Sequence, residues 1–234
     1  MEHIITIKDF KTIAAMCKFP NPDDPFIVFV ENKSSPLLLI TFTYQGKYFT
    51  STRTAQNIGA NALYIRSRPH TWYLESYPHG GTPMEAADTI NQFVESRPWI
   101  KRIVVTGQSM GGFGALLYST WLNFTKAVVL IPQTIFPLQV NRPYQAVQPI
   151  SCSQEFLEYT SISKVWKKYG HPKQPILIRI CKECIDSEYY RDKEEASELL
   201  FVPNVTVEYF DCKGHLGLLN FFQSDIKLHE DSLK

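Results

Sequence analysis

The sequence predicts an α/β protein built on a mostly parallel, doubly wound sheet with helices on both faces. Short β-rich runs alternate with helical stretches along the chain, which is the pattern of that class. The later β-rich runs are apolar throughout, as strands covered on both faces are. A chain of 234 residues with 44% hydrophobic and 20% charged residues fits one globular domain, so we expect a single domain over 1–234.

The N-terminal half contributes three strands and one helix to this prediction. The β-rich runs are FIVFV (26–30), PLLLITFT (36–43) and NALYIRS (61–67), and a polar, proline-marked turn separates the first two. Residues 83–97 are predicted to be helical because Pro83 stands at the start, Thr82 is a possible N-cap and apolar residues recur at helical spacing.

The C-terminal half continues the alternation. The predicted strands are 102–107, 126–132, 175–180 and 205–210, and the predicted helices are 110–122, near 153–169, near 187–200 and near 216–228. Between them, residues 133–152 are rich in proline and glutamine and are predicted to be irregular.

Composition argues against several classes of function. A formal net charge of +1 without a basic stripe gives no case for nucleic-acid binding. No apolar run is long enough to span a membrane, and the first ten residues lack the pattern of a signal peptide. We therefore expect a cytoplasmic protein in which the five cysteines are reduced.

Ser109 stands among glycines at a strand-to-helix junction. Residues 107–111 read Gly-Gln-Ser-Met-Gly, which matches the motif G-x-S-x-G. Such a turn must be very tight for the serine hydroxyl to project above the sheet edge, and glycines two residues before and after it avoid clashes of a Cβ with backbone. The following helix directs its N-terminus and the amide of Met110 at the space beside the hydroxyl, where an anion is favoured. We interpret Ser109 as a nucleophile; the alternative is a glycine-rich helix start without chemistry.

The stretch IVVTGQSMGGFGALLYS (103–119) resembles the nucleophile elbow of the α/β-hydrolase family, especially of esterase-type members with a Ser-Met-Gly-Gly core. The resemblance implies the α/β-hydrolase fold, with no cofactor and no metal. Segment 133–152 falls where this family often inserts a lid and is too short for a large helical cap, so little or no cap is expected.

The serine needs a positioned base, and the resemblance implies the chain order serine, acid, histidine. His171, His215 and His229 follow Ser109. His215 comes just after strand 205–210, at the same sheet edge as Ser109, and Gly214 before it matches the histidine loop of the family. His171 precedes a strand and belongs to the opposite edge, and His229 lies in a charged tail. His215 is therefore the predicted base.

The acid that orients the histidine is expected in the loop CKECIDSEYY (181–190), after strand 175–180. Asp186 is the predicted acid. The family usually places this acid a little closer to the strand end, and Glu183 is therefore the alternative. Asp211, near His215 in sequence, stays open as a less usual partner.

The oxyanion hole is expected to combine the backbone N–H of Met110 with one from the loop TFTYQGKY (41–48). The His-Gly pair frequent in the family is absent, and Thr43-Tyr44 stands in its place. By position Tyr44 is the predicted second donor, with Gln45 or Thr43 as alternatives.

Two further patterns have competing interpretations. Cys181, Cys184, Cys212 and His215 could hold zinc, or Cys181 and Cys184 could form a disulfide, although free cysteines are often simply buried. The aromatic loop 64–81, which contains His70 and His79, could line a pocket for a polar or sugar-bearing substrate or be a packed surface loop. It weakly resembles the corresponding loop of hydrolase-like proteins of bacterial capsule and glycoprotein-secretion systems.

The sequence thus predicts a serine esterase acting on a small-molecule ester or an acylated glycan through Ser109, His215 and Asp186. An acyltransferase or thioesterase with the same triad is one alternative. A non-catalytic, hydrolase-like component of a glycan-export or secretion assembly is another.

Overall fold

The computed structural model describes residues 4–18, 27–43, 49, 51–67, 72–74, 81–135, 158–183, 196–213, 218 and 226–233. An eight-stranded sheet lies at its centre. The strands are β1 (Ile4–Ile7), β2 (Ile27–Val30), β3 (Leu37–Phe42), β4 (Asn61–Ile65), β5 (Arg102–Gln108), β6 (Lys126–Leu130), β7 (Ile176–Glu183) and β8 (Val205–Lys213). In space they follow the order β1-β2-β4-β3-β5-β6-β7-β8. Only β2 and β4 pair antiparallel, so the predicted mostly parallel sheet is confirmed.

Helices cover both faces of this sheet. They are α1 (Phe10–Lys18), α2 (Thr52–Asn57), α3 (Pro83–Glu95), α4 (Met110–Tyr118), α5 (Ile162–Tyr169) and α6 (Ile226–Leu233). One apolar core contains buried residues of α3, α4 and α5, and the other contains residues of α1, α2 and α6. The strands between them are covered on both sides, and β3, for example, is buried at every residue. This is the doubly wound arrangement that the apolar strands predicted.

Helix α3 shows how local sequence fixes an element. The Thr82 hydroxyl accepts from the Glu85 N–H at 3.3 Å, and the Glu85 carboxylate accepts from the Thr82 N–H at 2.7 Å. Pro83 occupies the first turn, where its missing N–H costs nothing. The helix predicted at 83–97 is confirmed, and it ends at Glu95.

Three elements at the N-terminal side were not predicted: β1, α1 and α2. β1 is only four residues long and its two middle residues are exposed, so it lacks the apolar run of a covered strand. Helix α1 had a local signal, because the Asp9 carboxylate accepts from the Thr12 N–H at 2.9 Å as an N-cap does. Hydrogen bonds from the N–H and the hydroxyl of Thr12 hold the pKa of Asp9 below its ordinary value.

The two runs on either side of the proline-marked turn do not pair with each other, because β4 lies between them. Asn61, the buried first residue of β4, connects them. Its carboxamide accepts from the Asn32 N–H at 2.8 Å and donates to the Ser35 and Leu37 carbonyls at 2.9 and 3.1 Å. The Asn61 side chain thereby provides hydrogen-bond partners for three backbone groups in the segment between β2 and β3 and at the start of β3.

Several boundaries differ from the predictions. Helix α4 ends at Tyr118 rather than at 122, and residues 158–161 are not helical, so α5 begins at Ile162. The helix predicted near 216–228 lies mostly outside the described residues, among which Leu218 is helical and α6 covers Ile226–Leu233. The helix predicted near 187–200 falls mostly outside the described residues. Within the described part of the chain, no helix is both long enough and apolar enough to cross a bilayer.

Candidate active site

Ser109 lies directly after β5 and directly before α4, at the carboxyl end of a central strand. β5 is paired in parallel with β3 on one side and β6 on the other. In open α/β sheets, ligands bind at this edge. Ser109 is partly exposed there, whereas Met110 after it is buried.

The backbone of Ser109 is strained. Its φ of 54° and ψ of −122° lie in a region that residues with a side chain rarely occupy, at a cost of about 1–3 kcal/mol. Its neighbours hold it there: the Ser109 N–H donates to the Leu130 carbonyl at 3.1 Å, and the Ser109 carbonyl accepts from the Phe113 N–H at 3.1 Å. Strain that the surroundings maintain in this way is typical of functional sites.

Glycine is required at both positions two residues from Ser109. A Cβ on Gly107 would collide with the carbonyl oxygen of Gly111, and a Cβ on Gly111 would lie 2.6 Å from the Thr43 carbonyl oxygen. Real Cβ atoms do not approach backbone this closely, so either methyl group would force the turn open. The steric reason inferred from the motif is confirmed.

The other two glycines of the segment allow close packing of α4. A Cβ on Gly112 would lie 2.8 Å from the Cα of Pro132, just after β6. A Cβ on Gly114 would lie 2.6 Å from the Tyr73 ring and 2.9 Å from the Phe42 ring. Helix α4 is therefore held against β3, β6 and an aromatic side chain from the loop after β4.

The N-terminus of α4 faces the region of the serine. Met110 is the first helical residue, and the N–H groups of a first turn have no acceptor within the helix. Such groups carry partial positive charge and favour an anion. This is the property required of the predicted first oxyanion donor.

Three predicted site residues, His215, Asp186 and Tyr44, lie outside the described residues, as do the alternative Gln45 and also Cys184. The strands that precede them are described. β3, β7 and β8 run parallel to β5, so all three strands end at the same carboxyl edge of the sheet as β5. The alternative acid Glu183 is the last residue of β7.

Thr43 does not have a free N–H to offer an oxyanion. Its N–H donates to the Ile65 carbonyl at 3.0 Å. Its carbonyl accepts from the Tyr73 hydroxyl at 2.5 Å. Of the three alternatives for the second donor, Tyr44 and Gln45 stay open.

Cys181 and Cys212 form a disulfide between β7 and β8, with their Cα atoms 5.2 Å apart. The expectation of reduced cysteines is therefore wrong for this pair, and so is the suggested bridge from Cys181 to Cys184. Two of the four ligands of the suggested zinc site are also lost, because disulfide sulfurs are not thiolates. The bridge lies near the carboxyl ends of the two strands that precede Asp186 and His215 in the sequence.

The other histidines divide between the opposite edge and segments outside the described residues. His171 comes after α5 and before β7, at the opposite sheet edge, as predicted. His229 lies in α6 rather than in a tail. His70 and His79 lie outside the described residues.

The aromatic loop between β4 and α3 is described at residues 66–67, 72–74 and 81–82, and residues 72–74 belong to the core. Trp72, Tyr73 and Leu74 are buried, and Trp72 and Tyr73 have positive φ values of 51° and 65°. The Trp72 ring packs edge-on against Phe113 of α4 at 6.2 Å. Residues 72–74 are therefore packed rather than pocket-lining, and Trp72 and Tyr73 support helix α4 after the elbow.

Comparison with solved structures finds the same architecture in serine hydrolases and related proteins. The chain is similar to a fluorophosphonate-binding serine hydrolase of Staphylococcus aureus, with a TM-score of 0.60, 16% identity, and coverage of 92% of this chain and 87% of that one. It is similar to the capsule O-acetyltransferase of Neisseria meningitidis serogroup A, with a TM-score of 0.60, 13% identity and coverage of 93% and 99%. It is also similar to the glycosylation-associated Gap123 complex of Streptococcus agalactiae, with a TM-score of 0.58, 14% identity and coverage of 86% and 43%.

No protein-family model matches the chain, and the comparison with curated proteins finds no match. Identities this low establish a likeness of fold alone. With the sheet order and the elbow described above, they show that the chain has the α/β-hydrolase fold. The resemblance to esterases and to capsule and glycoprotein systems is confirmed at that level.

Proposed function

We propose that the protein is a serine hydrolase that cleaves a carboxylic ester or thioester through an acyl-enzyme. The observation that carries the proposal is the strained backbone of Ser109 at the carboxyl end of β5. A φ of 54° with a ψ of −122° costs stability at a serine, whereas a nucleophile must be lifted clear of the sheet edge. The likeness in fold to serine hydrolases and esterases supports the same proposal.

In the proposed mechanism, Ser109 attacks the acyl carbonyl while His215 accepts its proton. Asp186 holds the imidazole in the required tautomer and stabilises its charged form. The N–H groups of Met110 and Tyr44 receive the negative charge on the carbonyl oxygen. His215 then returns the proton to the leaving alcohol or thiol, and water hydrolyses the acyl-enzyme by the same steps.

Acyl transfer is the second candidate. The likeness to the capsule O-acetyltransferase extends over 99% of that protein and 93% of this chain, which supports this candidate. A transferase would use the same triad but deliver the acyl group to an alcohol instead of to water. An acylated glycan would then be the substrate or the product.

Fluorophosphonate labelling tests the nucleophile. The folded protein should take up the label, and Ser109→Ala and His215→Ala should lose it. Ser119→Ala is the matched control for the serine, since its hydroxyl is buried and donates to the Ala115 carbonyl at 2.6 Å. His171→Ala, at the opposite edge, is the control for the histidine.

A panel of acyl esters, from short to long chain and including acetylated sugars, then separates the two reactions. A hydrolase releases the free acid, whereas a transferase diverts the acyl group to an added sugar alcohol at the expense of the acid. Absence of Ser109-dependent labelling and of Ser109-dependent turnover in folded protein would reject both reactions. It would favour a binding component of a glycan-export or secretion assembly.

A further inference from the structure

The residues after β6 hold the main chain of Ser109 on both sides. The Ser109 N–H donates to the Leu130 carbonyl at 3.1 Å. The Ser109 carbonyl, which also accepts from Phe113, accepts from the Gln133 N–H at 3.4 Å. The first bond constrains the peptide plane before Ser109, and the second constrains the plane after it. Because φ and ψ describe the rotation of these two planes about the Cα, one short segment constrains both angles of the serine.

This segment departs from a regular parallel ladder by one residue. In such a ladder, a residue that donates to one carbonyl of the neighbouring strand accepts from the N–H two positions further along that strand. Donation from Ser109 to Leu130 therefore requires the N–H of residue 132, but residue 132 is a proline and has none. Gln133 donates instead. The chain thus forms a bulge at 131–133, and bulges are frequent beside active sites.

Ile131, the first residue of this bulge, has a strained backbone. Its φ is 39°, a value that is a genuine outlier for a β-branched residue. Ile131 is fully buried, and its N–H donates to the Arg179 carbonyl of β7 at 2.7 Å. Such strain persists only where the surroundings impose it, and it concentrates at functional sites. Two strained residues, Ile131 and Ser109, therefore lie on the two sides of one pair of hydrogen bonds.

Pro132 is enclosed between β6 and the helix after the nucleophile. It is buried, and a Cβ on Gly112 of α4 would lie 2.8 Å from its Cα and 2.9 Å from its Cβ. The bulge is thus held by α4 on one side and by the bond of Ile131 to β7 on the other. It forms a fixed connection between the nucleophile and the neighbouring strands.

We propose that Pro132 is a positioning residue for the nucleophile, which maintains the bulge at 131–133 and through it the strained conformation of Ser109. The proposal rests on the function proposed above. Because Pro132 cannot donate, the chain cannot form the regular ladder in which Ile131 and Ser109 would both relax. The direction of the Ser109 side chain follows from its φ and ψ, so the bulge determines where the hydroxyl points. Pro132 itself need not touch the substrate.

Kinetics of Pro132→Ala test the proposal, since alanine keeps the Cβ and restores the N–H. A misplacement of about 1 Å at a reacting group can cost about 10²-fold in rate. We expect kcat for a chromogenic ester to fall at least about tenfold, with KM within about twofold of the parent. Pro83→Ala is the matched control, because Pro83 is also buried and stands in the first turn of α3, where no N–H is needed.

Lactic acid at position 132, introduced as a backbone ester, isolates the effect of the N–H. It has the methyl side chain of alanine but, like proline, no N–H to donate. We expect it to restore kcat to within about threefold of the parent, because the regular ladder is again impossible. A purely structural role of the proline ring would leave the alanine and lactic acid variants equally impaired.

Amide hydrogen exchange followed by NMR measures the bulge independently of catalysis. In the parent, the Gln133 amide should be protected because it donates to Ser109. In Pro132→Ala, the new amide of residue 132 should become protected and the Gln133 amide should exchange at least about tenfold faster.

Unchanged kcat in Pro132→Ala, an equal loss with lactic acid at position 132, or an unprotected Gln133 amide in the parent would overturn the role of Pro132. Failure of the proposed function has a different signature, since Ser109→Ala would then cleave esters as fast as the parent. The exchange measurement would still report the bulge in that case, so the two failures are distinguishable.

Discussion

Gly111 lies against the main-chain carbonyl of Thr43, so closely that a methyl group on Gly111 would stand 2.6 Å from that oxygen. This contact joins the helix after the nucleophile to the end of the neighbouring strand β3. The two proposed oxyanion donors are neighbours of this contact in sequence, because Met110 precedes Gly111 and Tyr44 follows Thr43. The close approach of α4 to the end of β3 thus depends on the absence of a side chain at Gly111.

The first prediction concerns this contact. Gly111→Ala should destabilise the protein by about 1–3 kcal/mol and lose most ester-cleaving activity, because the obstacle is backbone and cannot rotate away. Urea unfolding and initial rates with a chromogenic ester measure both effects. Gly170→Ala is the control: its Cβ meets nothing within 4 Å and φ is +92°, so it should cost about 1 kcal/mol and leave activity unchanged. Full activity in Gly111→Ala would contradict the described turn.

The second prediction concerns the strain at Ser109. Ser109→Gly and Ser109→Ala both remove the hydroxyl, but only alanine keeps a Cβ at a φ of 54°. Relief of the strain exceeds the extra flexibility that glycine gives the unfolded chain, so we expect Ser109→Gly to be more stable by about 1 kcal/mol. Thermal unfolding of the two inactive variants measures the difference. Equal or reversed midpoints would show that the serine is not strained.

Local signals explain what could be predicted from the sequence. The start of α3 could be read from Thr82, Pro83 and Glu85, because a capping box involves only residues three apart. The elbow could be read from Gly107 and Gly111 for the same reason. Both features have a motif within a few residues, although Gly111 also packs against the distant backbone of Thr43.

Non-local contacts explain what could not. The position of β4 between β2 and β3 depends on the pairing of distant strands and on Asn61, which bonds to residues more than 20 positions away. The choice of Cys212 rather than Cys184 as the partner of Cys181 depends on the register of β7 and β8. The support that Tyr73 gives to Thr43 crosses 30 positions and has no sequence motif.

The third prediction concerns the disulfide. Its sulfurs close a loop of 31 residues, and bridges of this kind typically stabilise by about 2–4 kcal/mol. Reduction with dithiothreitol, or Cys212→Ser, should lower the thermal midpoint, whereas Cys184→Ser should not. Mass spectrometry of the non-reduced digest should recover the two cysteines in one linked peptide. A peptide linking Cys181 to Cys184 instead would contradict the structure.

The fourth prediction concerns how α6 is held. The buried guanidinium of Arg179 donates to the Glu208 carboxylate at 2.8 Å and to the Ser232 hydroxyl of α6 at 3.1 Å. Glu208→Gln should lower stability by about 1 kcal/mol and speed hydrogen exchange in α6, since a neutral amide replaces a charged acceptor of the Arg179 guanidinium.

Asp211→Asn is the control for that experiment. Asp211 lies on the same strand and pairs with Lys182 at 2.7 Å, but both side chains are largely exposed. Exposed pairs contribute at most about 1 kcal/mol, so stability and exchange in α6 should change little. Similar effects of the two substitutions would mean that Arg179 does not anchor the helix.

The order of the strands also sets when the molecule becomes complete during synthesis. β3, β5 and β6, which enclose the elbow, are all translated by residue 130, whereas β7 and β8 join the far margin of the sheet at the end. A ribosome adding about 5–20 residues per second needs roughly 5–20 s to travel from Ser109 to His215. On the proposed triad, a nascent chain carries its nucleophile through that interval without a base, and reactivity arrives only as the final strand docks.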